Sequence, residues 1–163
     1  MEQTFILKKK ACHLDAADKL LLSVCIFLLA AVTTALAQAQ ASSAIRAVID
    51  AQAAAWNRGD IDGFMNGYAQ SSLTTFVSDD RVMRGWETVR ARYKKKYPNA
   101  EQMGRLTFSD IEITPLCSDT AMVLGRWQLK RKGDHPRGRF TLLFRRRLEG
   151  WRIVQDHTSS TTP

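Results

Sequence analysis

The last segment of the chain constrains its fold more than any other feature. Residues 150–160, GWRIVQDHTSS, alternate apolar and polar side chains after a Glu149-Gly150 turn, which predicts a terminal β-strand. Far upstream, residues 44–68 carry apolar side chains at helical spacing, stop at Trp-Asn-Arg-Gly-Asp and resume at once. A chain that starts with paired helices and ends on such a strand is expected to form an α+β domain.

The pattern between these two ends gives the remaining elements. Helices are expected at residues 44–56, after a Ser43 cap, at 60–68, and at 85–97, where Pro98 ends the third. Residues 72–85 predict a short hairpin with an Asp-Asp turn. Four longer strands joined by short turns are expected at 105–114, 120–131, 137–147 and 151–159. The fold class is therefore α+β, with a curved antiparallel sheet of four long strands plus a short hairpin packed against three N-terminal helices.

The N-terminal segment has the organisation of a secretory signal peptide. Lys8, Lys9 and Lys10 precede the uncharged apolar residues 20–37, which end in Ala-Leu-Ala. We expect residues 1–37 to be a signal peptide cleaved after Ala37, 38–43 a linker, 44–160 the domain and 161–163 a tail. The protein would then be exported, to the periplasm or beyond, with no membrane attachment after cleavage. The alternative is an uncleaved anchor, because eighteen apolar residues can just span a bilayer.

Composition argues against several classes of function. Only Cys117 of the three cysteines lies after the predicted cleavage site, so a disulfide scaffold is not expected. The histidines are too isolated to indicate a metal site, and the chain lacks a glycine-rich phosphate loop, so we expect no metal and no cofactor. The chain carries a net charge of +8. Its basic runs are interpreted as a solvated face, and no nucleic-acid partner is expected.

Three motifs together resemble a known family. They are the helical AAAWNRGDIDGFMNGYA, the hairpin F-V-x-x-x-x-V-x-x-G that enters a helix, and the closing GWRIVQDHTS. Residues 44–160 resemble the SnoaL-like group of the nuclear-transport-factor-2-like superfamily, in particular its small exported members of unassigned function. The resemblance implies a cone-shaped domain with a pocket between the helices and the concave face of the sheet. The superfamily includes isomerases, cyclases, dehydratases and a non-catalytic kinase hub, so the resemblance specifies fold better than activity.

The resemblance also implies which side chains enter the pocket. The pattern of the kinase hub directs Asp156 inward and His157 outward on the last strand, and strand alternation then places Trp151 and Ile153 on the outer face. Gly125, Leu129 and Leu142 are expected to point inward on the neighbouring strands. The expected ligand-binding residues are Trp56, Tyr68, Trp86, Tyr93, Trp127, Phe144 and Asp156. Such a pocket suits a small apolar or aromatic ligand that bears one polar group.

Three functions stay open at this point. The first is a small-molecule-binding domain with no assigned catalysis. The second is an isomerase, cyclase or dehydratase that uses Asp156 as a general base, since burial raises a carboxyl pKa, with Tyr68 or Tyr93 as an oxyanion donor. The third is a homodimeric interaction module that associates through an outer sheet face. Asp156 could instead form a structural ion pair with an arginine such as Arg126 or Arg145.

Overall fold

The computed structural model describes residues 16–161 of the chain. Within that range the helices are α1 (Ala16–Asn57), α2 (Ile61–Met65), α3 (Trp86–Lys96) and α4 (Ala100–Met103). The strands are β1 (Thr75–Ser78), β2 (Arg81–Arg84), β3 (Arg105–Pro115), β4 (Thr120–Lys130), β5 (Arg137–Arg147) and β6 (Gly150–Thr158). The chain divides after Leu36 into two compact units, which are described separately below.

The first unit consists, in its described part, of the N-terminal stretch of α1. Its apolar side chains are exposed, and those of Phe27 and Leu36 are 73% and 66% accessible. The helix is long and apolar enough to cross a membrane, a property that a signal sequence near an N-terminus shares. The three lysines of the predicted signal lie outside the described residues.

Helix α1 differs from the sequence prediction at its start. The prediction placed a linker at residues 38–43 and a helix beginning at Ala44, whereas α1 is continuous from Ala16. The physical reason lies in residues 37–44, AQAQASSA, which contain good helix formers and neither Gly nor Pro. A Ser43 cap is therefore not formed, because the preceding turn is itself helical.

The second unit begins with the rest of α1, which ends as predicted. The Gly59 amide donates to the Trp56 carbonyl at 2.8 Å with φ of 79°, a left-handed geometry that favours glycine. The Asp60 carboxylate then accepts from the Gly63 amide at 2.7 Å and caps α2. Asn57 joins the helix end to β3, because its side chain both donates to the Leu106 carbonyl and accepts from the Leu106 amide.

A single six-stranded sheet completes this unit, in the order β2-β1-β6-β5-β4-β3. All pairs are antiparallel except β1 with β6, which is parallel. The predicted α+β fold is confirmed, with two differences of detail. The hairpin joins the same sheet through a parallel contact, and the short α4 follows Pro98, begun by an Asn99 cap on the Gln102 amide.

A β-bulge in β6 reverses part of the predicted alternation. Leu143 pairs with Gln155 while the next residue, Phe144, pairs with Ile153, so one residue of β6 is extra. Trp151 and Ile153 consequently belong to the buried core, with 6% and 1% exposure, although alternation placed them on the outer face. That prediction is wrong, and a dimer interface cannot use these two side chains.

Candidate functional site

An aromatic cavity lies between the helices and the inner face of the sheet in the second unit. Its volume is about 90 Å³, several times what a single water requires. Residues from α1, α2, α3 and every strand except β2 line it. Aromatic rings form much of the wall, among them Trp56, Phe64, Tyr68, Phe76, Tyr93 and Tyr97.

The rings of the wall pack mainly edge to face. The Trp56 ring lies 5.2 Å from that of Phe64, 6.1 Å from that of Tyr93 and 4.7 Å from that of Tyr97, measured between centroids. Such arrangements are favourable beyond the apolar area that they bury. The Trp56 indole also donates to the Met103 carbonyl at 3.2 Å, which fixes the ring's orientation. The helical side of the cavity is therefore a packed wall.

Asp156 is the buried carboxyl of the cavity. Its position on β6 lies beside Phe76 of β1 and Leu142 of β5, and only 4% of it is exposed. One carboxylate oxygen accepts from the Tyr68 hydroxyl and the other from the Thr158 hydroxyl, both at 2.6 Å. Each of its two oxygens is thus held by one short hydrogen bond from a protein hydroxyl.

Backbone pairing places the Tyr68 hydroxyl at this carboxyl. The segment after α2 runs beside β6, where the Ala69 amide donates to the Ile153 carbonyl and the Ile153 amide donates to the Gly67 carbonyl, both at 2.9 Å. Tyr68 is thereby bridged to Ile153 in a parallel sense. The bulge that follows Ile153 brings both Ile153 and Asp156 to the inner face.

Burial dominates the electrostatics of Asp156. Desolvation raises its pKa from 3.8 to about 6, against the opposing effects of the Thr158 and Tyr68 hydrogen bonds and the charge of Arg92. Asp156 does not form the ion pair with Arg126 or Arg145 that the sequence left open. Arg126 instead pairs with Asp110 at 3.3 Å, and Arg145 pairs with Asp119 at 3.0 Å. A carboxyl with a pKa of about 6 can exchange a proton near neutral pH.

The two inner tyrosines stay protonated. Burial, followed by the nearby charge of Asp156, raises the pKa of both Tyr68 and Tyr93 above the usual 10. Both hydroxyls are therefore hydrogen-bond donors at neutral pH. Tyr68 donates to Asp156, and the Tyr93 hydroxyl lies within hydrogen-bonding reach of the Tyr68 hydroxyl.

Five of the seven sequence-predicted site residues line the cavity: Trp56, Tyr68, Tyr93, Trp127 and Asp156. The other two, Trp86 and Phe144, do not. Trp86 begins α3 with its indole nitrogen donating to the Met65 carbonyl at 3.0 Å, so the ring belongs to the contact between α2 and α3. Phe144 is fully buried in the core beyond the β6 bulge.

Two cationic residues that were not predicted from the sequence also line the cavity, Arg92 and Lys96. Both are on α3, next to the inward-facing Tyr93 and Tyr97. Positions 93 and 97 are one turn apart, so positions 92 and 96 form a second row beside them. The four-residue spacing of Arg92 and Lys96 is visible in the sequence. It was overlooked because Lys96 belongs to the basic run 94–96, which was interpreted as a solvated face.

The C-terminal segment closes one side of the cavity. The Ser159 and Thr161 amides donate to the carbonyls of Arg139 and Arg137, at 3.0 and 2.8 Å, so the chain stays paired with β5 beyond Thr158. Ser160 consequently lines the cavity. Within residues 16–161, no group of three or more His, Cys, Asp or Glu side chains is arranged to hold a metal ion.

Comparison with known proteins shows relatives of the same fold. A family model described as a SnoaL-like domain matches residues 45–163. An NTF-2-like protein of unknown function from Shewanella oneidensis is 43% identical with a TM-score of 0.70, and the match covers 72% of this chain and 98% of that one.

Two more distant structures show the fold alone. A ketosteroid isomerase-like protein from Erwinia carotovora atroseptica is 19% identical with a TM-score of 0.59, covering 74% of this chain and 96% of that one. A domain with a cystatin-like fold from Nostoc punctiforme is 19% identical with a TM-score of 0.64, covering 76% and 79%. No curated protein matches the chain.

Proposed function

Because the chain belongs to the SnoaL-like family, we propose that its domain binds a small, mostly apolar molecule in the aromatic cavity, with Asp156 as the polar contact. Concave, largely apolar sites with a few placed polar groups are the usual form of small-molecule sites. The cavity has this composition, since aromatic rings surround one buried carboxyl.

The observation that carries the proposal is the arrangement of hydrogen bonds at Asp156. Each carboxylate oxygen has about two acceptor sites. Each accepts one protein hydroxyl, from Tyr68 or Thr158, so acceptor capacity remains at a group that borders the cavity. A ligand hydroxyl or amine can use that capacity while its apolar body packs against the rings.

Phenol and toluene test this proposal as a matched pair. We expect phenol to bind more tightly than toluene, because only phenol donates a hydrogen bond to Asp156. A hydrogen bond to a charged group contributes about 1.5–3 kcal/mol, so Asp156→Asn should weaken phenol binding by roughly tenfold or more. Toluene affinity should stay nearly constant. NMR titration of both proteins with both compounds measures this, and an equal response of the two ligands to the substitution contradicts the proposal.

An enzyme that uses Asp156 as a general base is the second candidate. The specific observation in its favour is the pKa of about 6, which suits proton abstraction near neutral pH. The carboxylate would take a proton from the carbon next to a ligand carbonyl, and the Tyr93 hydroxyl would donate to the enolate oxygen. Deuterium exchange into cyclohexanone distinguishes the candidates: an enzyme catalyses it and Asp156→Asn abolishes the catalysis, whereas a binding domain shows none.

Export is a further part of the proposal. It is supported by the uncharged residues 20–37 and by the exposed apolar side chains on this part of α1. We predict that N-terminal sequencing of the exported protein gives Gln38 as the first residue. A full-length chain recovered from the membrane fraction, still starting at Met1, would establish the anchor instead.

Homodimerisation through the outer sheet face stays a prediction. Because Trp151 and Ile153 are buried, the apolar side chains of such an interface would be those of Met122 and Leu143, which pair across β4 and β5, and of Val82, which is 55% exposed. Light scattering of the mature protein at micromolar concentration should give twice the monomer mass, and a Met122→Lys variant should be monomeric. A monomeric wild type rules the dimer out at that concentration.

A further inference from the structure

Two cationic side chains border the cavity from helix α3. Arg92 and Lys96 are one helical turn apart, and both line the cavity beside Tyr93 and Tyr97. Arg92 is half-buried, whereas Lys96 is exposed, so this pair marks a side where the cavity meets solvent. We refer to Arg92 and Lys96 as the cationic rim.

Neither residue of the cationic rim forms an ion pair with an acidic side chain that the structure describes. No carboxylate lies within 4.0 Å of either side chain, in contrast to Arg90 and Lys94 of the same helix, which both contact Asp62, at 2.6 and 2.9 Å. The rim cations thus form no direct ion pair, and the acids whose charges act on them, Asp156 on Arg92 and Asp79 on Lys96, lie beyond 4.0 Å.

Aromatic rings support the rim cations instead. The Arg92 guanidinium carbon lies 4.7 Å from the Phe76 ring centroid and 5.7 Å from that of Tyr93, and the Lys96 ammonium lies 5.5 Å from that of Tyr97. These three rings belong to the cavity wall. The cations are therefore held on the same surface that a ligand's apolar body would contact.

Positive charge accumulates around Lys96. Although Lys96 is exposed as a whole residue, partial desolvation of its ammonium is the main cause that lowers its pKa, followed by the charge of Arg92; Arg131 adds to this, while Asp79 acts in the opposite direction. A bound anion at this position would relieve the repulsion. Asp156, in contrast, would repel an anionic group at its own end of the cavity when ionised.

We infer that the ligand of this cavity is a small organic carboxylate, with its carboxylate at the cationic rim, its apolar body among the rings and any hydroxyl group toward Asp156. The inference rests on the proposed function and names its ligand class. The planar guanidinium of Arg92 suits a carboxylate because its paired N–H groups match two oxygens. The opposite charges of the rim and of Asp156 then orient the ligand, with its carboxylate at the rim and away from Asp156.

Four probes of similar size test the inference: benzoate, 4-hydroxybenzoate, benzamide and phenol. We expect benzoate to bind at least tenfold more tightly than benzamide, and 4-hydroxybenzoate to bind best of all. Arg92→Gln should weaken both acids at least tenfold and phenol by a much smaller factor. Lys96→Gln should weaken the acids less, and Arg92→Lys should give an intermediate loss because it keeps the charge without the planar fork.

Lys95→Gln provides the matched control. It removes the same charge from the same helix at an exposed residue outside the cavity lining. Its acid affinities should stay within twofold of those of the wild type. Calorimetry at two salt concentrations measures all the affinities, and those of the acids should fall as salt screens the rim. Thermal unfolding of each variant shows that the fold is retained.

The failure of this inference is distinct from that of the proposed function. The rim does not select anions if benzoate binds no more tightly than benzamide, or if Arg92→Gln and Lys95→Gln weaken benzoate binding equally. Either result overturns the inference, whereas binding of phenol and benzamide would still support an apolar site. Inorganic phosphate binding as tightly as benzoate also overturns it, since the cavity would then contribute nothing. Binding of none of the four probes overturns both.

Discussion

Replacing Trp56 with alanine should lower the free energy of unfolding by about 3–5 kcal/mol, the usual cost of truncating a buried tryptophan. Only 3% of Trp56 is exposed, and its ring contacts Phe64, Tyr93 and Tyr97. The substitution also removes the hydrogen bond to the Met103 carbonyl. Urea denaturation of wild type and variant, followed by circular dichroism, measures the difference.

Trp127→Ala is the natural comparison. Trp127 also lines the cavity, but it is half-buried, and its indole donates to the Ser159 carbonyl at 3.0 Å near the C-terminal segment. We expect a smaller loss than for Trp56, because less apolar area is removed from the interior. The sequence alone does not distinguish the two tryptophans. A loss below about 1 kcal/mol at Trp56 would show that the aromatic wall is not packed as described.

The second large effect concerns pH. Asp156 binds a proton more tightly in the folded protein, with a pKa of about 6, than in the unfolded chain, where it is 3.8. The folded state therefore holds the extra proton between these two values, and stability falls as pH rises through that interval. A difference of about two pKa units corresponds to about 3 kcal/mol. Asp156 should thus make the free energy of unfolding lower at pH 7 than at pH 4, by about 3 kcal/mol.

Asp156→Asn removes the titrating group and should remove this contribution. The free energy of unfolding of the variant, measured at several pH values between 4 and 7, should lack the decline of about 3 kcal/mol that Asp156 gives the wild type. Asp62 and Asp119 do not interfere, because partners lower their pKa values to about 2, so their contributions are lost only below about pH 4. Parallel pH profiles of the two proteins would mean that Asp156 is solvated.

Much of the fold is predictable because its signals are local. Gly59 and Asp60 mark a helix end and a new cap, and Pro98 and the turns between strands mark the other boundaries. The extension of α1 through residues 38–43 also has a local cause, in residues that favour helix and include neither Gly nor Pro. The parallel contact between β1 and β6 depends on longer-range context and cannot be deduced from a window of neighbouring residues.

The candidate site was predictable only in part. The inward direction of Asp156 follows from the family resemblance, whereas the burial of Trp151 and Ile153 does not, because a β-bulge has no clear signature in this strand. Trp86 illustrates a second limit. Helical periodicity predicts that it faces inward, but not whether it meets the cavity or the neighbouring α2.

The central claim is that a desolvated Asp156 forms the polar contact of a ligand-binding aromatic cavity. Carbon-13 NMR titration of the Asp156 carboxyl, without ligand and with saturating phenol, tests it most directly. We predict a pKa of about 6 for Asp156 in the free protein and a lower pKa with phenol bound, because a hydrogen bond to the carboxylate favours its charged form. A carboxyl that titrates near 3.8 and does not respond to phenol would contradict the claim.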